Sequence, residues 1–212
     1  MTSQMSKDDV QVLDKSCYLI RSALDIAEQL NLFEEIQGND QPSNGQQPSN
    51  QALYPSPRTV RFGDNRQTKI KYDRSALVAN PTVYSQLVDQ ANEAILQATK
   101  VDLSDYKSIT LSAIEYEAAT HTLTEHIDHD DSFVYLLSIG CATNFVVQGP
   151  NMTDKTTIQL KSGDLMVFDA STTGNILHVI SGVRESSCPA ELASKFSILQ
   201  NHRYGIQLRV RF

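Results

Sequence analysis

These 212 residues contain no tryptophan and only three cysteines. Cys17, Cys141 and Cys188 are odd in number and far apart, which excludes a disulfide frame or a cysteine-rich zinc site and leaves reduced thiols. No apolar run approaches the roughly eighteen residues of a membrane span, and the opening Met-Thr-Ser-Gln-Met-Ser-Lys-Asp-Asp lacks the apolar core of a secretion signal. From these absences the expectation is a cytoplasmic or nuclear protein with no membrane partner, acting as a monomer. An excess of basic charge is lacking too: the formal net charge is −7. A hydrophobic content of 40% is ordinary, so the chain can still bury a full core.

The distribution of charge says more than its sum. Residues 1–54 hold three cations against eight acids, a balance of −5, whereas residues 55–74 hold six against two, a balance of +4. The basic stretch carries Arg58, Arg61, Arg66, Lys69, Lys71 and Arg74, follows Tyr54 and is interleaved with Phe62 and Tyr72. Two readings stand side by side. One is a solvated charged hairpin; the other is a phosphate-contacting lid with stacking surfaces.

Apolar residues at Val10, Leu13, Cys17, Ile20, Leu24 and Ala27 recur every three to four positions, predicting a helical N-terminal extension over 8–36, within a unit 1–36. Residues 37–54 form a flexible low-complexity loop, rich in Asn, Gln, Ser and Pro over 37–51. A second helix starts at Asn80-Pro81 and carries the stripe Val83, Leu87, Val88, Ala91, Ala94 and Ile95 to about Lys100. Beyond Asp105 the pattern is of short strands: 108–116, 132–139, 144–148, 156–160, 165–169, 176–180 and a long one over 196–212. Seven or eight such strands in about a hundred residues imply a mainly β protein with N-terminal helices, its domain over 55–212 a jelly roll, or double-stranded β-helix.

Two features carry chemistry. His126 and Asp128 stand at i, i+2, so in an extended segment both reach one metal, and His178 follows about fifty residues later, past Gly163-Asp164. Two imidazoles and a carboxylate can cap one face of an octahedral iron and leave the opposite face open. The second feature is the final strand, where Arg203, Arg209 and Arg211 alternate with apolar even-numbered positions. Guanidiniums aligned on one strand face suit an acidic cosubstrate held by paired hydrogen bonds. A lone histidine such as His178 is more often a hydrogen-bonded structural residue than a ligand; it is the conjunction with His126, Asp128 and the arginines that points to metal. His121, His129 and His202 are the other imidazoles; His129 points away from Asp128 as an immediate neighbour, and His121 reaches the metal only if its loop folds back.

In order and spacing the chain resembles the AlkB-like iron(II)/2-oxoglutarate-dependent dioxygenases over Pro55 to Phe212. The matching pieces are Pro57-Arg58, Phe62-Gly63-Asp64, Ile114-Glu115-Tyr116, Glu125 to Asp131, Leu137 to Gly140, Gly163-Asp164-Leu165, His178 and the Arg203 to Arg209 strand. Two arginines six apart in the last strand narrow the resemblance, because the wider superfamily usually carries one. It implies His126, Asp128 and His178 as catalytic iron ligands, with Tyr116, Arg203 and Arg209 as cosubstrate residues. Arg203 would take the distal carboxylate of 2-oxoglutarate, Tyr116 would assist, and Arg209, with Arg211 as its rival, would lie by the metal. Asp130 would face a substrate base and Phe62 would stack on it, with Arg66 and Lys69 reading phosphates. The implied cofactors are Fe(II), 2-oxoglutarate and O2. The implied activity is oxidative demethylation of N-methylated DNA or RNA, single strands favoured, as in DNA repair. The alternatives are an oxygenase acting on a protein side chain or small molecule, and a non-catalytic metal- or nucleic-acid-binding jelly roll. Ile114 departs from the resemblance: the family often has Asn two residues before the cosubstrate tyrosine, and an aliphatic side chain cannot donate to a carboxylate.

Overall fold

The computed structural model describes residues 5–38, 70–74, 82–118 and 123–212. Two antiparallel sheets face one another. The larger orders its strands β1(Val10–Asp14), β2(Cys17–Ile20), β9(Leu165–Asp169), β6(Phe133–Gly140), β11(His202–Arg211), β4(Ser108–Glu117) and β3(Ile70–Asp73). The smaller orders β5(Leu123–His126), β10(Leu177–Val183), β7(Thr143–Gln148) and β8(Thr156–Leu160). This is the jelly roll expected from the strand pattern. Helices α1(Ile26–Gly38), α2(Val83–Thr99) and a short α3(Ala190–Lys195) accompany it.

The alternation in β11 now has its cause. Tyr204, Ile206, Leu208 and Val210 enter a core shared with Phe33 of α1 and with Leu87, Val88, Ala91 and Ile95 of α2. The odd-numbered side chains therefore share the other face, toward the small sheet, where a second core holds Tyr116, Leu136, Phe145, Met166 and Phe168. Helix α2 starts where its signals placed it, with Thr82 and Ser85 capping each other's backbone N–H, and it ends at Lys100 in a left-handed conformation, φ +69°.

The N-terminal helix expected over 8–36 is corrected by the structure. Only its second half is helical; residues 10–20 form two strands that extend the large sheet by pairing Tyr18 with Val167 and Leu19 with Met166. The three-to-four spacing misled because β2 is covered on both faces. Cys17 and Leu19 enter the inter-sheet core while Tyr18 and Ile20 enter the helical one, so the strand is a continuous apolar run without alternation. The Gly163-Asp164 signal has a structural explanation in this same docking. Asp164 accepts from Arg21 at 2.5 Å, from the Ser22 N–H at 3.1 Å and from the Lys161 N–H at 2.9 Å. Gly163 holds φ +87°, and a β-carbon there would lie 2.6 Å from the Leu24 carbonyl. The pair fastens the N-terminal strands to the barrel. The final strand starts at His202 rather than 196, because α3 and a short turn of helix over Ser197–Gln200 precede it.

Candidate metal and cosubstrate site

His126 and His178 come together through register: they are direct partners across the antiparallel pair β5 and β10. Their rings lie 4.3 Å apart. Asp128 follows the end of β5 in a loop tied to β9, with Asp130 N–H donating to the Ala170 carbonyl at 2.9 Å and Ala170 N–H to Ser132 at 2.9 Å. One Asp128 oxygen lies 3.6 Å from His126 Nε2 and the other 4.0 Å from His178 Nε2. Ligand atoms of all three lie within 4.8 Å of one another, the one such group of His, Cys, Asp and Glu among the described residues.

Each imidazole is prepared on its far side. His126 Nδ1 donates to the Thr124 carbonyl at 2.8 Å and His178 Nδ1 to that of Ile176 at 3.2 Å. A carbonyl can only accept, so the protons sit on Nδ1 and both Nε2 lone pairs face Asp128. Burial against Phe145 and Phe168, with ring centroids 5.8 and 4.8 Å away, pushes His178 below the ordinary imidazole pKa. Neutral imidazole is the form that donates to a metal.

Arg203 is wholly buried, a costly place for a cation. Its Nε donates to Ser138 Oγ at 3.1 Å, and its guanidinium lies 5.2 Å from the centre of the Tyr116 ring, its register partner. Burial holds its pKa down to about 10. Four buried side-chain polar atoms lack a hydrogen-bond partner among the described residues, and three of them belong to Arg203 (Nη1, Nη2) and Asp128 (Oδ2). Native interiors rarely leave such groups unpaired without a function. A carboxylate against Arg203 and a cation against Asp128 would satisfy all three, so the donor set fits both iron(II) and a dicarboxylate.

A profile of the 2OG-Fe(II) oxygenase superfamily matches residues 16–209, nearly the whole chain. The chain belongs to this superfamily. It is therefore an iron(II)- and 2-oxoglutarate-dependent dioxygenase, with O2 as the third component. The fold is similar to that of OsALKBH1, with TM-score 0.62 and 18% identity over 94% of this chain and 99% of that one. It is also similar to a Pseudomonas putida prolyl-4-hydroxylase, with TM-score 0.50 and 15% identity over 97% of each chain. No curated protein sequence matches the oxygenase significantly. No helix among its described residues is long and apolar enough to cross a membrane.

The remaining arginines divide their work. Arg209 reaches Asp128 at 3.1 Å and Asp130 at 3.2 Å, while Arg211 pairs with Asp130 at 2.8 Å and does not replace Arg209 at the ligand carboxylate. Asp130, expected to face a substrate base, thus has each oxygen engaged by a guanidinium. His202 lies 3.6 Å from Glu115, on the helix-facing side of β11, and His129 takes φ +53° beside the ligand. Phe62, Arg66, Lys69 and His121, with nearly all of the expected lid 55–74, lie outside the described residues. Arg74, at the lid's end, is engaged structurally by Asp105 at 3.4 Å, the Tyr106 carbonyl at 3.2 Å and the Tyr106 ring at 4.7 Å. Two residues at this site carry no local signal in the sequence: Ser138, which accepts from Arg203 Nε, and Gly205, its register partner on β11.

Proposed function

We propose that the oxygenase removes methyl groups oxidatively from N-methylated bases in DNA or RNA, single strands being favoured. The observation that carries this reading is the arginine pair of the last strand, one guanidinium buried and unpaired and the other bridging the ligand carboxylate. The sequence resemblance to AlkB-like enzymes attaches that pair to nucleic-acid demethylation, and the fold likeness to OsALKBH1 agrees with it.

His126, Asp128 and His178 would hold iron(II), which with 2-oxoglutarate and oxygen would supply the oxidising equivalent for hydroxylation of a methyl carbon. Arg203 takes the distal carboxylate by paired charge-assisted hydrogen bonds, aligned by Ser138 and backed by the Tyr116 ring. Arg209 offsets the charge of Asp128 and fixes its orientation. Phe145 and Phe168 keep water from the inner side of His178. Asp130 acts on substrate choice indirectly, by holding Arg209 and Arg211 at the rim. Phe62 as stacking surface and Arg66 and Lys69 as phosphate contacts complete the proposal. A hydroxylated N-methyl group falls apart to formaldehyde and the free amine, so the residues need only position the base.

Incubation with a single-stranded oligonucleotide carrying N-methylated adenine or cytosine is expected to release formaldehyde and succinate in equal amounts. Succinate formation that no oligonucleotide stimulates would remove the nucleic-acid reading. It would favour a protein side chain or small molecule, to which the net charge of −7 is better suited.

A further inference from the structure

Arg203, Gly205, Gln207 and Arg209 share one face of β11. Opposite them on β4 stand, in order, Tyr116, Ile114, Ser112 and Thr110. Arg203 and Tyr116 form the distal end of the cosubstrate site and Arg209 marks the metal end, so a dicarboxylate reaching from one to the other runs along this face. Ile114, opposite Gly205, offers it no donor. Gln207 does. The buried Ser112 Oγ donates to Gln207 Oε1 at 3.4 Å, which commits the carbonyl end of the amide to Ser112 and leaves its N–H2 as a donor.

Gly205 sets how the guanidinium lies. A β-carbon at this position would lie 3.0 Å from Arg203 Nη1, 3.3 Å from Leu136 Cδ1 and 3.5 Å from Tyr116 Cε2. The missing side chain therefore lets Nη1, which has no hydrogen-bond partner among the described residues, lie close against the strand two residues on from Arg203, toward Gln207.

We propose that Gln207, its amide set by Ser112, is a cosubstrate-binding residue that donates to the 2-oxo acid end of 2-oxoglutarate, across Gly205 from Arg203. The assignment rests on the cosubstrate common to the superfamily and not on the substrate being a nucleic acid. It stands or falls separately from the demethylation assay.

The test measures binding, with manganese(II) in place of iron so that nothing turns over. Dissociation constants for 2-oxoglutarate and for oxalate are taken by calorimetry. Oxalate offers the metal the same pair of oxygens but has no distal group for Arg203. Gln207→Leu is expected to weaken both ligands by about tenfold or more, the loss of one hydrogen bond to a charged group. Gln207→Glu, which puts a like charge at the same place, weakens both further. Arg203→Ala weakens 2-oxoglutarate alone and leaves oxalate within about twofold. Gln207→Asn, which retracts the donor by one methylene, gives the tenfold loss on both ligands if the leucine variant fails to fold. Wild-type binding of both ligands by Gln207→Glu and Gln207→Asn overturns the proposal. So does a loss confined to 2-oxoglutarate, which would put the amide at the distal end.

Discussion

Arg203→Ala is expected to raise the 2-oxoglutarate concentration for half-maximal turnover by about two to three orders of magnitude, leaving iron affinity unchanged. Removing one partner of a buried charge pair costs about 3–5 kcal/mol, because the other charge is left without compensation. In the free protein the sign differs. There Arg203 has two buried nitrogens without a partner among the described residues, so its burial is a standing cost to the fold. The near-isosteric Arg203→Met should unfold at the same temperature as the wild type or higher, although its cosubstrate binding is lost. Added 2-oxoglutarate should stabilise the wild type and not the variant. Saturation kinetics and thermal unfolding check both halves. Normal turnover by Arg203→Ala at limiting 2-oxoglutarate would show that another arginine of β11 holds the distal carboxylate.

Asp128→Asn is the second large effect. The substitution keeps size and shape but removes the charge that faces both Nε2 atoms and Arg209. An amide in that position offers the ion only a neutral oxygen and leaves Arg209 with Asp130 as its one carboxylate partner among the described residues. Metal affinity is expected to fall by at least the ten- to hundredfold that outer-sphere losses cost, with turnover abolished. The fold persists, because Asp128 Oδ2 supports no hydrogen bond among the described residues and the amide oxygen can still accept from Arg209 in place of Oδ1. Titration with manganese(II) followed by calorimetry measures the affinity, and far-ultraviolet circular dichroism confirms folding. An Asp128→Asn protein that binds manganese as tightly as the wild type would place the ligand carboxylate elsewhere.

Much of this site could be read from one-dimensional patterns, for a physical reason. The period-two arginines of β11 are a local regularity that an extended strand preserves, and His126 and Asp128 are near enough in sequence to reach one point from the end of β5 and the loop that follows it. What pairs with what is a long-range matter. The direct register of His178 with His126 joins residues fifty-two positions apart. The engagement of Asp130 by Arg209 and Arg211 depends on how the ligand loop meets a strand eighty residues later. The base contact of Asp130 is what the family resemblance implies, and nothing local in the sequence marks its two countercharges. β2 misled for the opposite reason, since a short strand buried on both faces has no period of its own and borrows that of its flanks. Gly205 was silent because a glycine in a strand announces close approach only once the approaching group is known.

The central claim is that His126, Asp128 and His178 bind iron(II) beside a 2-oxoglutarate held by Arg203. Its most direct test is anaerobic addition of iron(II) and then 2-oxoglutarate to the purified full chain, followed by visible absorption. The account predicts a charge-transfer band that needs both components, is absent in His126→Ala, and in Arg203→Ala forms only at much higher 2-oxoglutarate. A correctly folded wild-type protein that binds iron and shows no such band, or a His126→Ala protein that shows it undiminished, would contradict the account.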